Sequence, residues 1–402
     1  MLLLTGSVAA QIFSVITTPI KTRLFTVEDI GLFTYITTVV GVLVPVIMGQ
    51  YEAVVVLVKR QVYAVIKLCA LLCIFSTMVF TIGTALYYLY QEKFLDNIAL
   101  ILYMPFCLLI TGVVNLLSAY NNRCREYKLF AKINVIRAVA NFIGVIIFGL
   151  LGTGYIGLLV ISVISQLVSL RKQAESLSGH LREIYSARRR LVIAIAKKYW
   201  QQPAVSMPGT FINTLSYSLL AICIKEAYDD LAVLGYYSMS MALLGLPLVI
   251  VSSNVGKVFF EEAVREKNET GKFYHAFMKA TKYLLVGTIP IFIIVYILAP
   301  WGCKVFLGAD WEITGIYIRY LVPMFAVRFI VSPLTLSIIV SQKQYYNLMI
   351  QALFLISLGG CYYITISEAL SVDYFLTIIN WSYTGVYCFF WMMCRRLSLQ
   401  PK

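Results

Sequence analysis

The sequence predicts an all-α polytopic membrane protein with about twelve transmembrane helices, arranged as two six-helix bundles. The 402-residue chain is 60% hydrophobic and only 13% charged, whereas soluble globular chains carry about 25% charged residues. Apolar runs of about 20 residues recur along the chain, and each is long enough to cross a bilayer as a helix. The runs are continuous, whereas strands of a membrane β-barrel alternate apolar and polar residues.

The plan of the chain is visible in its first 41 residues, where two apolar segments flank the charged turn KTRLFTVED. The opening MLLLTGSVAA has no basic n-region, and its apolar run continues to Ile20. We therefore interpret it as the first span and not as a signal peptide. The same pattern along the chain predicts spans at about residues 2–20, 31–50, 66–89, 97–119, 130–150, 154–170, 203–224, 231–252, 281–300, 314–340, 345–366 and 372–394.

Lys and Arg are distributed unevenly between the two sides of the predicted membrane. With the N-terminus inside, 25 of the 33 basic residues fall in even-numbered loops and the C-terminal tail, and five fall in odd-numbered loops. Cytoplasmic loops of membrane proteins are enriched in Lys and Arg, so both termini are predicted to be cytoplasmic. The same bias accounts for the net charge of +14 without a nucleic-acid partner.

A basic, partly amphipathic segment divides the chain into halves. The predicted domains are an N-terminal six-helix lobe at residues 1–170, a cytoplasmic linker at 171–202 and a C-terminal six-helix lobe at 203–402. For the linker we favour a surface helix lying on anionic lipid over a binding site for a specific partner.

The two halves also resemble each other. Pairs of positions recur in order at offsets of 204 and 218 residues: Gly31 and Gly41 with Gly235 and Gly245, then Pro105 and Tyr127 with Pro323 and Tyr345. The pattern favours a parallel duplication related by a pseudo-twofold axis along the membrane normal. Transporters built from two such halves bind substrate between them, near the midplane.

The sequence predicts no metal, no cofactor and no enzymatic activity. The nine Cys are scattered without a C-x-x-C pair, so neither a disulfide framework nor a metal site is indicated. Both histidines, His180 and His275, fall in charged loops. No loop is large enough to hold a soluble catalytic domain.

Three arginines lie within predicted spans, whereas the Asp and Glu residues fall in loops or near span ends. At about 1.5 Å per residue, Arg328 lies about 20 Å into its span and Arg137 about 10 Å from the inner face; Arg319 is close to the outer interface. An arginine near the bilayer centre costs at least about 2.5 kcal/mol. Backbone carbonyls, water or an anionic ligand would compensate this cost, and guanidinium binds phosphate in a bidentate manner. We expect Arg328 and Arg137 to line a cationic, water-filled cavity.

Other interpretations of the basic residues stay open. Arg137 and Arg319 are also placed to snorkel to the nearest interface, and Arg328 to make a static hydrogen bond to a neighbouring helix. Lys21 and Arg23 close the first span on the outer side, where they would meet an exiting head group or form an ordinary solvated loop. Seven amides in or near spans have interhelical hydrogen bonding as their default role: Asn115, Asn141, Gln166, Asn213, Asn254, Gln351 and Asn380.

GSVAAQ followed by TPIKTRLFTVEDIGLFTYI resembles the first-span signature of bacterial polysaccharide-unit flippases, G-x-x-x-A-Q and then T-R-L-[YF]-[ST]-P-E-D-[FY]-G. Matching residues are Gly6, Gln11, Thr22, Arg23, Leu24, Phe25, Thr26, Glu28, Asp29 and Gly31. QYEAVVVLVK resembles the R-Y-E-x-A-I segment of that family. The chain departs from the pattern at Val27, Ile30 and Gln50. The resemblance is specific in the N-terminal third and architectural elsewhere.

The resemblance implies the fold of the multidrug/oligosaccharidyl-lipid/polysaccharide exporters (MATE-like) and translocation by alternating access. The implied substrate is an undecaprenyl-diphosphate-linked oligosaccharide, moved from the inner to the outer leaflet of the bacterial inner membrane for O-antigen, lipopolysaccharide or capsule synthesis. Its diphosphate would bind Arg328 and Arg137, with Arg319, Arg23 and Lys21 as further substrate-binding candidates. Membrane lipids, a polysaccharide polymerase and chain-length machinery are implied partners. The resemblance also implies a start a few residues upstream of Met1.

Two other functions are weighed against this one. An exporter of small cationic drugs on the same fold needs buried acidic residues, which the spans lack. An integral-membrane polysaccharide polymerase needs a sizeable outer loop with catalytic Arg or His, and the predicted outer loops are short and poorly basic.

Overall fold

The computed structural model describes residues 2–58, 61–95 and 97–400, and within these ranges the secondary structure consists of helices and turns. The chain divides into two compact units, Met1–Thr214 and Leu215–Lys402. The predicted domain boundaries at 170 and 202 therefore stay a prediction. Lys59, Arg60 and Lys402, which contribute to the positive-charge count, lie outside the described residues.

The helices of the first unit follow the predicted order. They are α1 Leu2–Leu24, α2 Val27–Leu43, α3 Glu52–Leu57, α4 Val62–Tyr90, α5 Ile98–Arg123, α6 Tyr127–Leu150, α7 Gly154–Ser178, α8 Leu181–Ser186 and α9 Arg189–Lys198. A π-helical turn, Gln202–Ser206, leads into α10 Met207–Tyr228, which continues into the second unit.

The second unit continues with α11 Leu231–Thr270, α12 Tyr274–Leu307, α13 Glu312–Leu334, α14 Ser337–Val340, α15 Tyr345–Ser367 and α16 Val372–Leu399. A 3-10 turn, Ala309–Trp311, joins α12 to α13. Within the described ranges, twelve helices of 17 residues or more coincide in order with the twelve predicted spans. Nine helices there are long and apolar enough to cross a membrane by length and composition alone. The prediction of an all-α polytopic membrane protein is confirmed.

Several helix ends differ from the predicted span ends for local reasons. Helix α2 stops at Leu43 instead of residue 50 because Pro45 cannot donate a backbone hydrogen bond. Gly49 and Gln50 then adopt left-handed φ values of 57° and 60°. Helix α11 runs 40 residues, far past residue 252, because the helix-forming segment EEAVREK follows its apolar part without a break.

Two apolar residues of amphipathic α9 pack on protein, whereas Leu191 and Ile193 are exposed, so a surface helix on anionic lipid stays a prediction. Val192 and Ile195 are buried, and the hydroxyl of Tyr51 donates to the Ala196 carbonyl at 2.9 Å. Preceding α9, the Lys67 Nζ donates to the carbonyls of Tyr185 and Ala187 at 2.7 and 2.9 Å. The basic segment is thus attached to the first unit, and its arginines and lysines are exposed together with Leu191 and Ile193.

Asp29, a residue of the flippase-like signature, joins the N-termini of two helices. Its Oδ2 accepts a hydrogen bond from the Thr26 backbone N–H at 3.2 Å, and Thr26 Oγ1 accepts from the Asp29 N–H at 3.1 Å. This is a capping box for α2. Asp29 Oδ1 also accepts from the Tyr155 N–H of α7 at 2.8 Å. A carboxylate at two helix N-termini accepts hydrogen bonds from N–H groups that have no acceptor within their helix. Its negative charge also interacts favourably with both helix dipoles.

We expect Asp29→Ala to lower the free energy of unfolding by about 1–2 kcal/mol, because loss of an N-cap partner has this effect. Glu28→Ala is the matched control, since Glu28 is the adjacent carboxylate and is exposed. Thermal unfolding of both purified variants in the same detergent measures the difference. Equal midpoints for the two variants would show that the double cap contributes nothing.

Candidate substrate-binding site

Arg328 lies on α13 shortly after a proline, where a side chain of α16 binds the backbone of α13. Pro323 has no N–H and disturbs the helix around it. The following N–H, of Met324, donates to Oδ1 of Asn380 on α16 at 2.8 Å, and both residues are buried. Arg328 lies about one turn beyond Met324 on the same face. The amide of Asn380 therefore fixes the turn of backbone that carries the deepest arginine.

The Arg328 guanidinium is held by aromatic faces. Its Cζ lies 5.1 Å from the ring centroid of Tyr217 and 5.3 Å from that of Phe325. The guanidinium also acts electrostatically on the phenols of Tyr237 and Tyr387, which are buried. Cation–π contacts of a desolvated cation contribute up to about 2 kcal/mol. These contacts compensate part of the desolvation of a half-buried cation.

The N–H groups of Arg328 are left available by this arrangement. Among the residues that the structure describes, the guanidinium makes no ion pair and no hydrogen bond. A cation–π contact uses the face of the guanidinium plane, whereas its donors point outward from the edge. The group can therefore take an anionic acceptor without giving up its aromatic contacts.

Arg137 lies in the first unit, in a polar pocket between α1, α6 and α7. Its Nε donates to Ser169 Oγ at 2.8 Å, and Ser169 Oγ in turn donates to the Gln166 carbonyl at 2.7 Å. Nη2 of Arg137 is buried and finds no acceptor among the described residues. The pocket has a volume of about 360 Å³, and its polar lining consists of Ser14, Arg137, Asn141, Ser162, Ser165 and Gln166.

Arg319 has acceptors of its own in the backbone of α12. Pro300 has no N–H, so the carbonyl of Tyr296, four residues earlier, loses its helical donor. Arg319 Nε donates to this carbonyl at 2.8 Å, and Nη2 donates to the Ile297 carbonyl at 2.9 Å. Gly315 permits the close approach, since a Cβ there would overlap the backbone of Pro300. Substrate contact by Arg319 stays a prediction beside this structural role.

Lys21 and Arg23 lie at the C-terminal end of α1, as predicted. The Lys21 ammonium is 4.5 Å from the ring centroid of Phe33, and Arg23 is exposed. Both residues belong to the unit that carries Arg137, whereas Arg328 and Arg319 belong to the second unit. A role for Lys21 and Arg23 in substrate binding stays a prediction.

Glu52 is a buried carboxyl that sequence reasoning missed. It lies in the family-like segment QYEAVVVLVK, just after a predicted span end. The structure buries its Oε2 without a hydrogen-bond partner in the described ranges, and this burial raises the pKa of Glu52. The apolar run AVVVL directly after it was the available signal. The aromatic residues around Arg328 were missed as well, because they come from helices far apart in the chain.

A larger groove lies at the junction of α11 and α12, with a volume of about 1310 Å³. Three of its charged side chains contact one another or the backbone. Lys279 pairs with Glu262 at 3.0 Å, and the carboxylate of Glu266 accepts from the N–H groups of His275 and Ala276 at 3.0 and 2.7 Å. This groove contains none of the predicted site residues, so its size alone does not make it the candidate site.

Comparison with solved structures defines the class of this fold. The lipid II flippase MurJ, in an inward closed conformation, superposes with a TM-score of 0.70 at 12% identity, covering 97% of this chain and 87% of that one. A multidrug resistance MATE family transporter of the MOP superfamily, in an inward-facing conformation, superposes with a TM-score of 0.65 at 15% identity, covering 98% of this chain and 94% of that one. A MOP superfamily transporter from Pyrococcus furiosus Vc1 (DSM3638) superposes with a TM-score of 0.64 at 15% identity, covering 99% of this chain and 94% of that one. The chain therefore has the fold shared by MATE transporters and MurJ.

The family follows from the sequence itself. Residues 20–314 match the family described as polysaccharide biosynthesis protein. This range is more than half of the chain, and the protein belongs to that family. A comparison with curated proteins finds no match. The predicted resemblance to polysaccharide-unit flippases of this superfamily is confirmed at the level of family and fold.

The contact between Arg319 and α12 is tested by a double-mutant cycle. We expect Arg319→Met to destabilise the protein by about 1.5–3 kcal/mol, because the charged donor serves the Tyr296 carbonyl, which would otherwise be unsatisfied. In a Pro300→Ala background, residue 300 regains an N–H for Tyr296, so Arg319→Met should cost less. Thermal unfolding of the four proteins measures the coupling. Additive effects of the two substitutions would contradict this role for Arg319.

Proposed function

We propose that the protein is a flippase that moves an undecaprenyl-diphosphate-linked oligosaccharide from the inner to the outer leaflet of the bacterial cytoplasmic membrane. Three findings support the proposal: membership of the polysaccharide biosynthesis family, the fold shared with a lipid II flippase, and the open guanidinium of Arg328. The exported unit would serve surface polysaccharide synthesis, as O-antigen, lipopolysaccharide or capsule.

The observation that carries the proposal is a guanidinium in the middle of an apolar helix whose hydrogen-bond donors remain unused. A diphosphate offers several charged acceptors, and guanidinium binds such groups through two parallel hydrogen bonds. Away from bulk water the attraction between opposite charges is several times stronger than in water. Arg328 would thus replace part of the hydration that the diphosphate loses when it leaves the membrane surface.

Translocation requires no covalent step, because substrate and product are the same molecule on opposite leaflets. We therefore assign the protein no enzymatic activity. The sugar and diphosphate would pass through the protein while the polyprenyl chain stays in lipid, with the site exposed alternately to the two sides. Lys21, Arg23 and Arg319 lie where the head group would emerge, if both termini are cytoplasmic. The polymerase and the chain-length machinery would then act on the exported unit.

The two other candidate functions have less support. A cationic drug would be repelled by the guanidinium of Arg328. A polymerase would act on units already outside. Deleting a polymerase would leave single lipid-linked units on the outer leaflet, whereas deleting a flippase would leave them on the inner leaflet.

We expect Arg328→Ala to reduce surface polysaccharide at least about tenfold, because a charge-assisted hydrogen bond contributes about 1.5–3 kcal/mol. Arg328→Lys should restore part of the export, since the charge is kept but the bidentate geometry is lost. The measurement is surface polysaccharide in cells of the source bacterium, together with the leaflet in which the lipid-linked unit accumulates.

Arg395→Ala is the matched control for this experiment. Arg395 also lies over an aromatic ring, that of Trp391 at 5.9 Å, but it is exposed at the end of α16. Immunoblots of membranes show whether each variant is present at the wild-type level. Full polysaccharide display by Arg328→Ala, or an equal loss in Arg395→Ala, would refute the role of Arg328.

A further inference from the structure

The pocket around Arg137 has the construction of a small-molecule site. Its volume of about 360 Å³ lies at the lower end of the range for ligand pockets, about 300–1,000 Å³. Three helices, α1, α6 and α7, contribute polar side chains to it, and all three belong to the first unit. A polar pocket of this kind between apolar helices calls for an occupant that can satisfy its hydrogen-bonding groups.

The Arg137 guanidinium is held in place through its Nε. Its Nε is fixed by Ser169 Oγ at 2.8 Å, and the same oxygen accepts from Gln173 Nε2 at 2.9 Å. Ser169 and Gln173 are fully buried, so this anchor is rigid. The anchor leaves Nη2 buried without an acceptor among the described residues. A buried charged donor without a partner is unfavourable, and a ligand oxygen would remove that cost.

Asn141 extends the site along one face of α6. It follows Arg137 by four residues, which places both side chains on the same side of the helix. Its amide, which offers a donor and an acceptor, has no hydrogen bond within the described part of the chain. On α7, the hydroxyl of Ser165 donates to the Ser162 carbonyl at 3.0 Å, so its oxygen retains lone pairs for donors of a ligand.

These groups match one oxyanion flanked by hydroxyls. Arg137 is the one cation among the residues that line the pocket, so it balances a single negative charge. The proposed function assigns the diphosphate to Arg328, which leaves a second acidic group of the substrate for Arg137. Asn141 and Ser165 instead complement the hydroxyls beside such an oxyanion. Building on the proposed function, we propose that this pocket binds an acidic sugar of the oligosaccharide, through a carboxylate of the uronic-acid type.

Binding of simple glycosides to the full-length protein in lipid nanodiscs tests the proposal. Saturation-transfer NMR or calorimetry would compare methyl β-glucuronide, methyl β-glucoside and glucose 1-phosphate. We expect the glucuronide to bind at least about tenfold more tightly than the glucoside, since a charge-assisted hydrogen bond has this magnitude. Arg137→Gln should abolish the difference, and Arg137→Lys should keep part of it. Asn141→Leu should weaken glucuronide binding without altering the charge.

The control variant is Arg395→Ala, which removes an exposed arginine at the end of α16 and should leave glucuronide binding unchanged. Wild-type glucuronide affinity in both Arg137→Gln and Asn141→Leu would overturn the proposal, as would equal affinity for the glucoside. Tighter binding of glucose 1-phosphate would assign the site to phosphate and overturn the carboxylate assignment. Arg137→Gln and Asn141→Leu are checked for folding by size exclusion, and either one suffices for the test. Any of these failures would leave the flippase proposal intact if Arg328→Ala still blocks export in cells.

Discussion

A guanidinium held by aromatic rings within an apolar helix is the interaction on which the proposed function depends. Arg328 cannot rest unpaired in hydrocarbon, and its half-buried guanidinium meets Tyr217 and Phe325 instead of a carboxylate. Aromatic faces lower the desolvation cost without consuming the hydrogen-bond donors. A carboxylate partner would have neutralised the charge and left nothing for an anion to bind. The choice of rings over a carboxylate therefore keeps the site cationic.

Two prolines inside helices of the second unit remove backbone hydrogen-bond donors. Pro323 lies inside α13 and Pro300 inside α12, and each lacks the N–H of a regular helix. In an apolar environment no water satisfies the backbone groups that this leaves unpaired. The amide of Asn380 and the guanidinium of Arg319 supply the missing partners. Polar residues that stand out in the sequence as functional candidates thus divide into two kinds. Some form hydrogen bonds to backbone groups of a neighbouring helix. Others, such as Arg328, make no hydrogen bond within the described residues.

Hydropathy and charge bias were sufficient to predict the twelve long helices, because a span must be an apolar run of a minimum length. Helix ends were less predictable, since they depend on local events such as the stop before Pro45 and the extension of α11 beyond its apolar part. Arg137 and Arg328 were found from sequence because a charge in an apolar run is conspicuous. The residues around Arg328 could not be found from the sequence, because Tyr217, Tyr237 and Tyr387 come from three different helices. Burial of Glu52 was equally hidden, since it depends on tertiary packing.

The central claim is that Arg328 binds the diphosphate of a polyprenyl carrier. The most direct test is native mass spectrometry of wild-type and Arg328→Ala protein, titrated with undecaprenyl diphosphate and undecaprenyl monophosphate. The account predicts that the wild type prefers the diphosphate and that Arg328→Ala weakens diphosphate binding at least about tenfold, with little change for the monophosphate. Equal diphosphate binding by the two proteins would contradict it.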